Sequence, residues 1–124
     1  MEQTLSDKPV TACKIIATGI ALPPTRVTSA ELDARLGKPA GYVEKRCGIA
    51  WRYHASLRDS QAELAAQALH QALQAGGLAP SSIDLLICAS AVAVQALPCS
   101  AIPILRAAGM PSGVAGFDIN SSCV

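Results

Sequence analysis

Charge is scarce in this sequence. Asp, Glu, Lys and Arg make up 15% of its 124 residues, where a soluble domain ordinarily carries about 25%. The net charge is +1, which gives no overall basic face for nucleic acid. Aromatic residues are rarer still, at 3%. No CxxC pair occurs, and the five cysteines (13, 47, 88, 99 and 123) are odd in number. That pattern points to reduced thiols in the cytoplasm rather than to a disulfide framework or a zinc site. His54 and His70 have no ligand partners at metal spacing, so no metal is expected. The opening "MEQTLSDKPV" holds Glu2, Asp7 and Lys8 and no apolar core, and it reads as lacking a signal peptide. An uncharged run of 21 residues, 85–105, has the length to span a bilayer. Ser90, Gln95, Pro98, Ser100 and Pro103 interrupt it, so a strand, a turn and a helix are expected there and no membrane span.

What the chain has instead is apolar content: 51% of residues are hydrophobic. So much apolar surface on one domain's length of chain implies an extensive interface or a piece of something larger. The elements follow from spacing. "CKIIATGIALP" (13–23) is a β-rich run ending at two prolines. "TSAELDARLG" is a short helix that Thr28 or Ser29 can cap, with Glu31 in its first turn and Gly37 as its stop. Residues 38–58 show no periodicity and read as irregular. From Ser60, a capping box with Glu63 and apolar residues at 62, 65, 66, 69 and 73 predict a second helix, ended by Gly76 and Gly77. "IDLLICASAV" (83–92) reads as a central strand covered on both faces. "CSAIPILRAAG" (99–109) reads as a helix with Ser100 as cap and Pro103 in its first turn, and "GVAGFDIN" (113–120) as the last strand. The expected class is α/β, built around a buried sheet.

Two constellations carry chemistry. The last strand delivers "NSSC", which sets Cys123 at the carboxyl edge of the sheet, where open α/β sheets bind ligands. By these residues alone Cys123 is either a nucleophile, if a following helix lowers its pKa, or an ordinary buried cysteine. The second is "YVEKRCGIAWRYH" (42–54), which holds three of the four aromatic residues, Tyr42, Trp51 and Tyr53, interleaved with Lys45, Arg46, Arg52 and His54. Rings beside guanidinium groups suit a nucleotide base and its phosphates; the other reading is a solvated loop pinned by its aromatics. His70 belongs on the solvent side of its helix, and Cys13, Cys47, Cys88 and Cys99 read as core packing.

Taken together, "KIIATGIALPPTRVTSAEL", "YVEKRCGI", "ALPCSA" and "FDINSSC" resemble, in order and without large gaps, the opening segment of a β-ketoacyl-acyl-carrier-protein synthase III, a condensing enzyme of the thiolase fold. The resemblance implies the N-terminal part of a thiolase-like layered α-β-α fold with a buried mixed sheet. Residues 1–12 would be an extension and 13–124 an incomplete domain. It implies an enzyme that takes an acyl group from acyl-CoA onto Cys123 and condenses it with a malonyl thioester on an acyl carrier protein. Coenzyme A enters as a thioester substrate, and no permanently bound cofactor is implied. By position, Tyr42 stands for a tryptophan that stacks on the coenzyme A adenine and Arg46 for the arginine beside it. Leu97 stands for a phenylalanine that caps the acyl pocket of the other subunit, so a homodimer of the full-length protein or a complementary C-terminal chain is implied as partner.

The departures are also specific. Tyrosine offers a smaller stacking face than tryptophan, and leucine for phenylalanine changes the pocket floor, which suits an acyl group other than acetyl. The family's histidine and asparagine, which drive decarboxylation, would fall beyond residue 124. Ending there, a carboxylate on Val124 would raise the thiol pKa, and the chain by itself is expected not to catalyse condensation. The alternative is a non-catalytic dimerisation or scaffold half of a synthase III-like assembly.

Overall fold

The computed structural model describes residues 13–92, 95 and 97–120, so the N-terminal extension 1–12 and Cys123 lie outside the described residues. The first described unit is built on a two-stranded antiparallel pair, β1 (Thr25–Thr28) and β2 (Trp51–His54), in the register Thr25↔His54 to Thr28↔Trp51. Two short helices fill the excursion between the strands: α1 (Ser29–Arg35) and α2 (Tyr42–Cys47). Thr28 is the cap of α1. Its Oγ1 accepts from the Glu31 N–H at 3.1 Å, and its own N–H donates to the Glu31 carboxylate at 2.6 Å. This capping box satisfies two backbone donors that a helix start leaves orphaned. Gly37, just past the helix, has φ +60°, as expected of a stop.

The stretch 38–58, expected to be irregular, contains both α2 and β2. Neither is legible from periodicity, because each is under two turns or four residues long and is fixed by contacts outside itself. Ser29, only 1% exposed, makes the join: its N–H donates to the Ala50 carbonyl at 2.8 Å and its hydroxyl to the Ile49 carbonyl.

The second unit is a β-α-β crossover with a helix beside it. α3 (Gln61–Gly76) begins at Ser60, whose hydroxyl accepts from the Glu63 N–H at 3.4 Å, and ends on Gly77 at φ +63°. Of the expected capping box only this half forms. After a 3-10 turn at Pro80–Ser82, β3 (Leu85–Ala89), α4 (Ala101–Ala107) and β4 (Ala115–Ile119) follow. β3 and β4 pair in parallel, Leu85↔Ala115 through Ala89↔Ile119, with α4 as the crossover. The long uncharged run thus resolves into a strand and a helix, and no helix among the described residues is long and apolar enough to cross a membrane.

The core lies between α3, α4 and one face of this pair: Ala66 and Leu73 on α3, Ala101, Ile104 and Leu105 on α4, and Ala108 at its C-cap are all buried. Gly116 permits the approach. A Cβ there would stand 3.0 Å from Leu105 Cδ1 and 3.1 Å from Ala101 Cβ. The opposite face is open. Leu85, Ile87, Phe117 and Ile119 alternate along it, each about half exposed. The expected cover on both faces is therefore seen on one face only, because the described chain supplies helices to one side.

Two further expectations change. Residues 13–23 form no strand among the described residues, and neither two-stranded sheet pairs with them. They lie along α3 instead: the Ile20 N–H donates to Gln71 Oε1 at 3.2 Å, and Gly19 sits so close that a Cβ would fall 2.0 Å from the Ala68 carbonyl oxygen. The four cysteines described are not core residues either. Cys13 and Cys47 are exposed, and Cys88 and Cys99 are half-buried.

Candidate functional site

The aromatic and basic run 42–54 divides into two cation–ring pairs. The first is on α2, a helix of six residues, too short to persist alone. Its N-cap is Gly41 at φ +79°, which has no side chain to cap with. Asp33 of α1 takes over that task. It is 3% exposed, and its two carboxylate oxygens accept from the Gly41 N–H at 2.7 Å and the Val43 N–H at 2.9 Å. A carboxylate at the positive end of the helix is favoured by the dipole as well. Gly48 closes the other end at φ +68°.

Fixed in this way, α2 presents Tyr42 in its first turn and Arg46 four residues on, a spacing at which side chains meet. The Arg46 guanidinium lies 4.7 Å from the centre of the Tyr42 ring, and Lys38 Nζ comes within 5.5 Å of it. Lys38 precedes the helix, in the loop "GKPAG" (37–41), and nothing in its spacing marks it as a partner of Tyr42. The structure therefore brings together Tyr42 and Arg46, as expected from their positions. A cation thus already covers part of the ring.

The second pair is on the hairpin, where the Arg26 guanidinium stands 4.2 Å from the Trp51 ring. Arg52, the next residue, turns to the other side of the strand. Its Nη2 donates to Ser29 Oγ at 3.3 Å and to Cys47 Sγ at 3.7 Å, while its buried Nη1 finds no partner.

In the second unit, parallel pairing brings the carboxyl ends of β3 and β4 to one edge. Asp118 projects from β4 toward α4. It accepts from the Ser100 N–H at 2.7 Å and the Ala101 N–H at 2.9 Å. The Ser100 bond, ahead of the Ala101 bond, holds its carboxyl below the ordinary carboxylate range. Ser100, expected to cap α4, makes no side-chain cap: its own hydroxyl is buried without a partner. Asp118 is the cap instead, so α4 is seated on the last residues of the strand that leads toward Cys123. Beside it, burial and then the Asp118 charge push the Cys88 thiol up. Leu97, in the loop before α4, is 88% exposed.

Asp33 and Asp118 are thus positioning residues that sequence reasoning missed. Each caps a helix from a different element, and neither has the i to i+3 spacing that reveals a local cap.

The layered arrangement, a parallel pair joined through α4 and flanked by α3, is that of the thiolase-type condensing enzymes. The priming β-ketosynthase of the R1128 polyketide biosynthetic pathway superimposes on 87% of this chain with a TM-score of 0.80 at 22% identity, covering 32% of its own length. Within that class the similarity in sequence is to the synthases III. The β-ketoacyl-acyl-carrier-protein synthase III of Sphingopyxis alaskensis is 39% identical over 106 residues, which are 86% of this chain and 33% of that protein. The 3-oxoacyl-acyl-carrier-protein synthase III of Aquifex aeolicus shares 30% identity and a TM-score of 0.79 over 87% of this chain and 34% of its own. No protein-family profile matches. The chain is homologous to β-ketoacyl-acyl-carrier-protein synthase III over most of its length, in agreement with the resemblance read from its motifs, and it spans about a third of the length of these relatives.

Proposed function

We propose that this chain is part of a condensing acyltransferase of the fatty-acid or polyketide type. In this reading acyl-CoA donates its acyl group to the Cys123 sulfur, releasing the coenzyme A thiol, and the acyl group then condenses with a malonyl thioester on a carrier protein as carbon dioxide leaves. The observation that carries the reading is the Tyr42–Arg46 pair at 4.7 Å on a helix pinned by Asp33. A ring and a guanidinium held in one place suit an adenine and its phosphate, which are the parts of acyl-CoA distant from the reacting thioester. At the other end, the parallel pair runs its carboxyl edge to within a few residues of Cys123 in the chain, the usual side for ligands in α/β sheets. Cys123, Tyr42, Arg46 and the pocket-capping role of Leu97 all belong to this proposal, as do the homodimer and a cytoplasmic location. The 124 residues alone are proposed to be inactive and to need the rest of the fold.

A second reading, a non-catalytic dimerisation half, is favoured by the open face of Leu85, Ile87, Phe117 and Ile119 and by the exposure of Leu97. Intact mass separates the two. Incubated with a panel of acyl-CoAs in an assembly supplying the missing part of the fold, the chain should gain one acyl group, and Cys123→Ser should gain none. An adduct that persists in Cys123→Ser sinks the assignment, and a wild-type assembly that never gains one favours the scaffold.

A further inference from the structure

Two stretches distant in sequence meet at the carboxyl edge of the β3–β4 pair: the end of β4, and the connection from β3 to α4. The end of β4 holds that connection where it begins and where it finishes. As the chain leaves β3, the Ser90 N–H donates to the Ile119 carbonyl at 3.2 Å, and Asn120 Nδ2 donates to the Ala91 carbonyl at 3.4 Å. As it enters α4, the Cys99 thiol donates to the Gly116 carbonyl at 3.8 Å, and Asp118 accepts from the Ser100 and Ala101 N–H groups at 2.7 and 2.9 Å. Between these anchors stands Leu97. The carbonyl of the next residue, Pro98, accepts from Gln95 Nε2 at 3.1 Å. Leu97 itself is 88% exposed, so its place is set by these anchors on its neighbours rather than by packing of its own side chain.

The same strand end continues toward the candidate nucleophile: Cys123 is five residues beyond Asp118 and three beyond Asn120. A carboxylate on two backbone donors is the strong anchor, and a neutral side-chain amide on one carbonyl is the weak one. The acyl-transfer reading gives neither residue a part in the reaction. Resting on the function proposed above, we propose that Asp118 and Asn120 are specificity-determining positioning residues. They hold the strand that leads to Cys123 and the segment that carries Leu97 in one register, and so set which acyl chain the assembled enzyme accepts. A shift of that register alters the fit of the acyl chain without removing any reacting group.

The test is the acylation of Cys123 in an assembly supplying the missing part of the fold, with straight-chain saturated acyl-CoAs of increasing length. The quantity read is the ratio of kcat/KM between the best donor and a poorer one of neighbouring length. In Asn120→Ala and in Asp118→Asn this ratio should fall about tenfold, which is what the fit of one methylene in an apolar pocket is worth. Asp118→Glu keeps the carboxylate and should retain more of the discrimination than Asp118→Asn. Asn120 is exposed and its side chain makes a single bond, so Asn120→Ala carries the test if Asp118→Asn fails to fold. A merely structural role would slow both donors alike. An unchanged ratio in every folded variant, whatever happens to the rates, therefore overturns the proposal while leaving the enzyme reading in place. A wild-type assembly that no acyl-CoA acylates removes the enzyme reading and this inference with it.

Discussion

Removing the Asp33 carboxylate should melt α2 while leaving the rest of the chain folded. The carboxylate accepts two backbone N–H groups, from Gly41 at 2.7 Å and Val43 at 2.9 Å, and is 3% exposed. Hydrogen bonds to a charged group contribute about 1.5–3 kcal/mol and helix caps about 0.5–2 kcal/mol, so losing both bonds of one carboxylate should cost about 2–4 kcal/mol. Against that, a six-residue helix has almost no stability of its own, and the Arg46–Tyr42 contact adds only about 0.5–1 kcal/mol. A folded domain has about 5–15 kcal/mol in all, enough to survive the loss globally. Asp33→Ala should therefore open α2 locally. The probes are the Lys45 amide, bonded to the Gly41 carbonyl at 3.0 Å, and the Gly48 amide, bonded to the Glu44 carbonyl at 2.8 Å. Their hydrogen exchange should accelerate about 30-fold or more, since about 1.4 kcal/mol corresponds to tenfold. Amides of α3 should hardly change. Asp33→Asn keeps one acceptor and should fall between the two. Protection at Lys45 and Gly48 within threefold of wild type in Asp33→Ala would refute the claim that Asp33 holds the helix. It would also remove the stated reason that Tyr42 and Arg46 stay together.

How much of this was legible in the sequence depended on whether an element carried its own signal. α1, α3 and α4 have caps, glycine stops or apolar spacing within their own residues, and all three appear where expected. β3 and β4 are short apolar runs bounded by turns, and they lie within the expected stretches 83–92 and 113–120. α2 and β2 carry no such signal, because what fixes them lies elsewhere: Asp33 comes from another helix, and the partner of β2 is 25 residues back by register, Val27 against Arg52. The strand expected at 13–23 failed for the complementary reason. Its residues have β propensity, but propensity does not choose a partner, and here the Ile20 N–H is taken by the Gln71 side chain of α3. At the candidate site, residue types alone suggested Tyr42 with Arg46, while Lys38 and the pairing of Arg26 with Trp51 needed the fold to bring distant positions together. The family likeness was legible because four motifs keep their order, and order along a chain needs no structure to read.

Two other perturbations test the packing on either side of the site. Hydrogen bonds keep the carboxyls of Asp118, Glu31 and Asp59 below their ordinary range. A depressed folded pKa gives stability that is present above the unfolded value and lost as pH falls through the folded one, so thermal stability should decline below about pH 4. The raised Cys88 thiol has the opposite sign, and its contribution is lost as pH climbs past the ordinary thiol range. Asp118→Asn should flatten the acid limb of the melting curve, and an unaltered limb would mean that Asp118 does not couple α4 to β4. The last test concerns how residues 13–23 are held. A Cβ at Gly19 would meet backbone atoms, the Ala68 carbonyl oxygen at 2.0 Å and the Ala72 nitrogen at 2.6 Å, which cannot rotate away. A Cβ at Gly116 meets side chains, Leu105 Cδ1 at 3.0 Å and Ala101 Cβ at 3.1 Å, of which the leucine can shift. Overpacking costs about 1–3 kcal/mol, so Gly19→Ala should sit at the upper end and detach the segment, and Gly116→Ala at the lower. Denaturant melts of the two variants decide it: if Gly116→Ala proves the more costly, the segment is not seated on α3 by the close approach of Gly19.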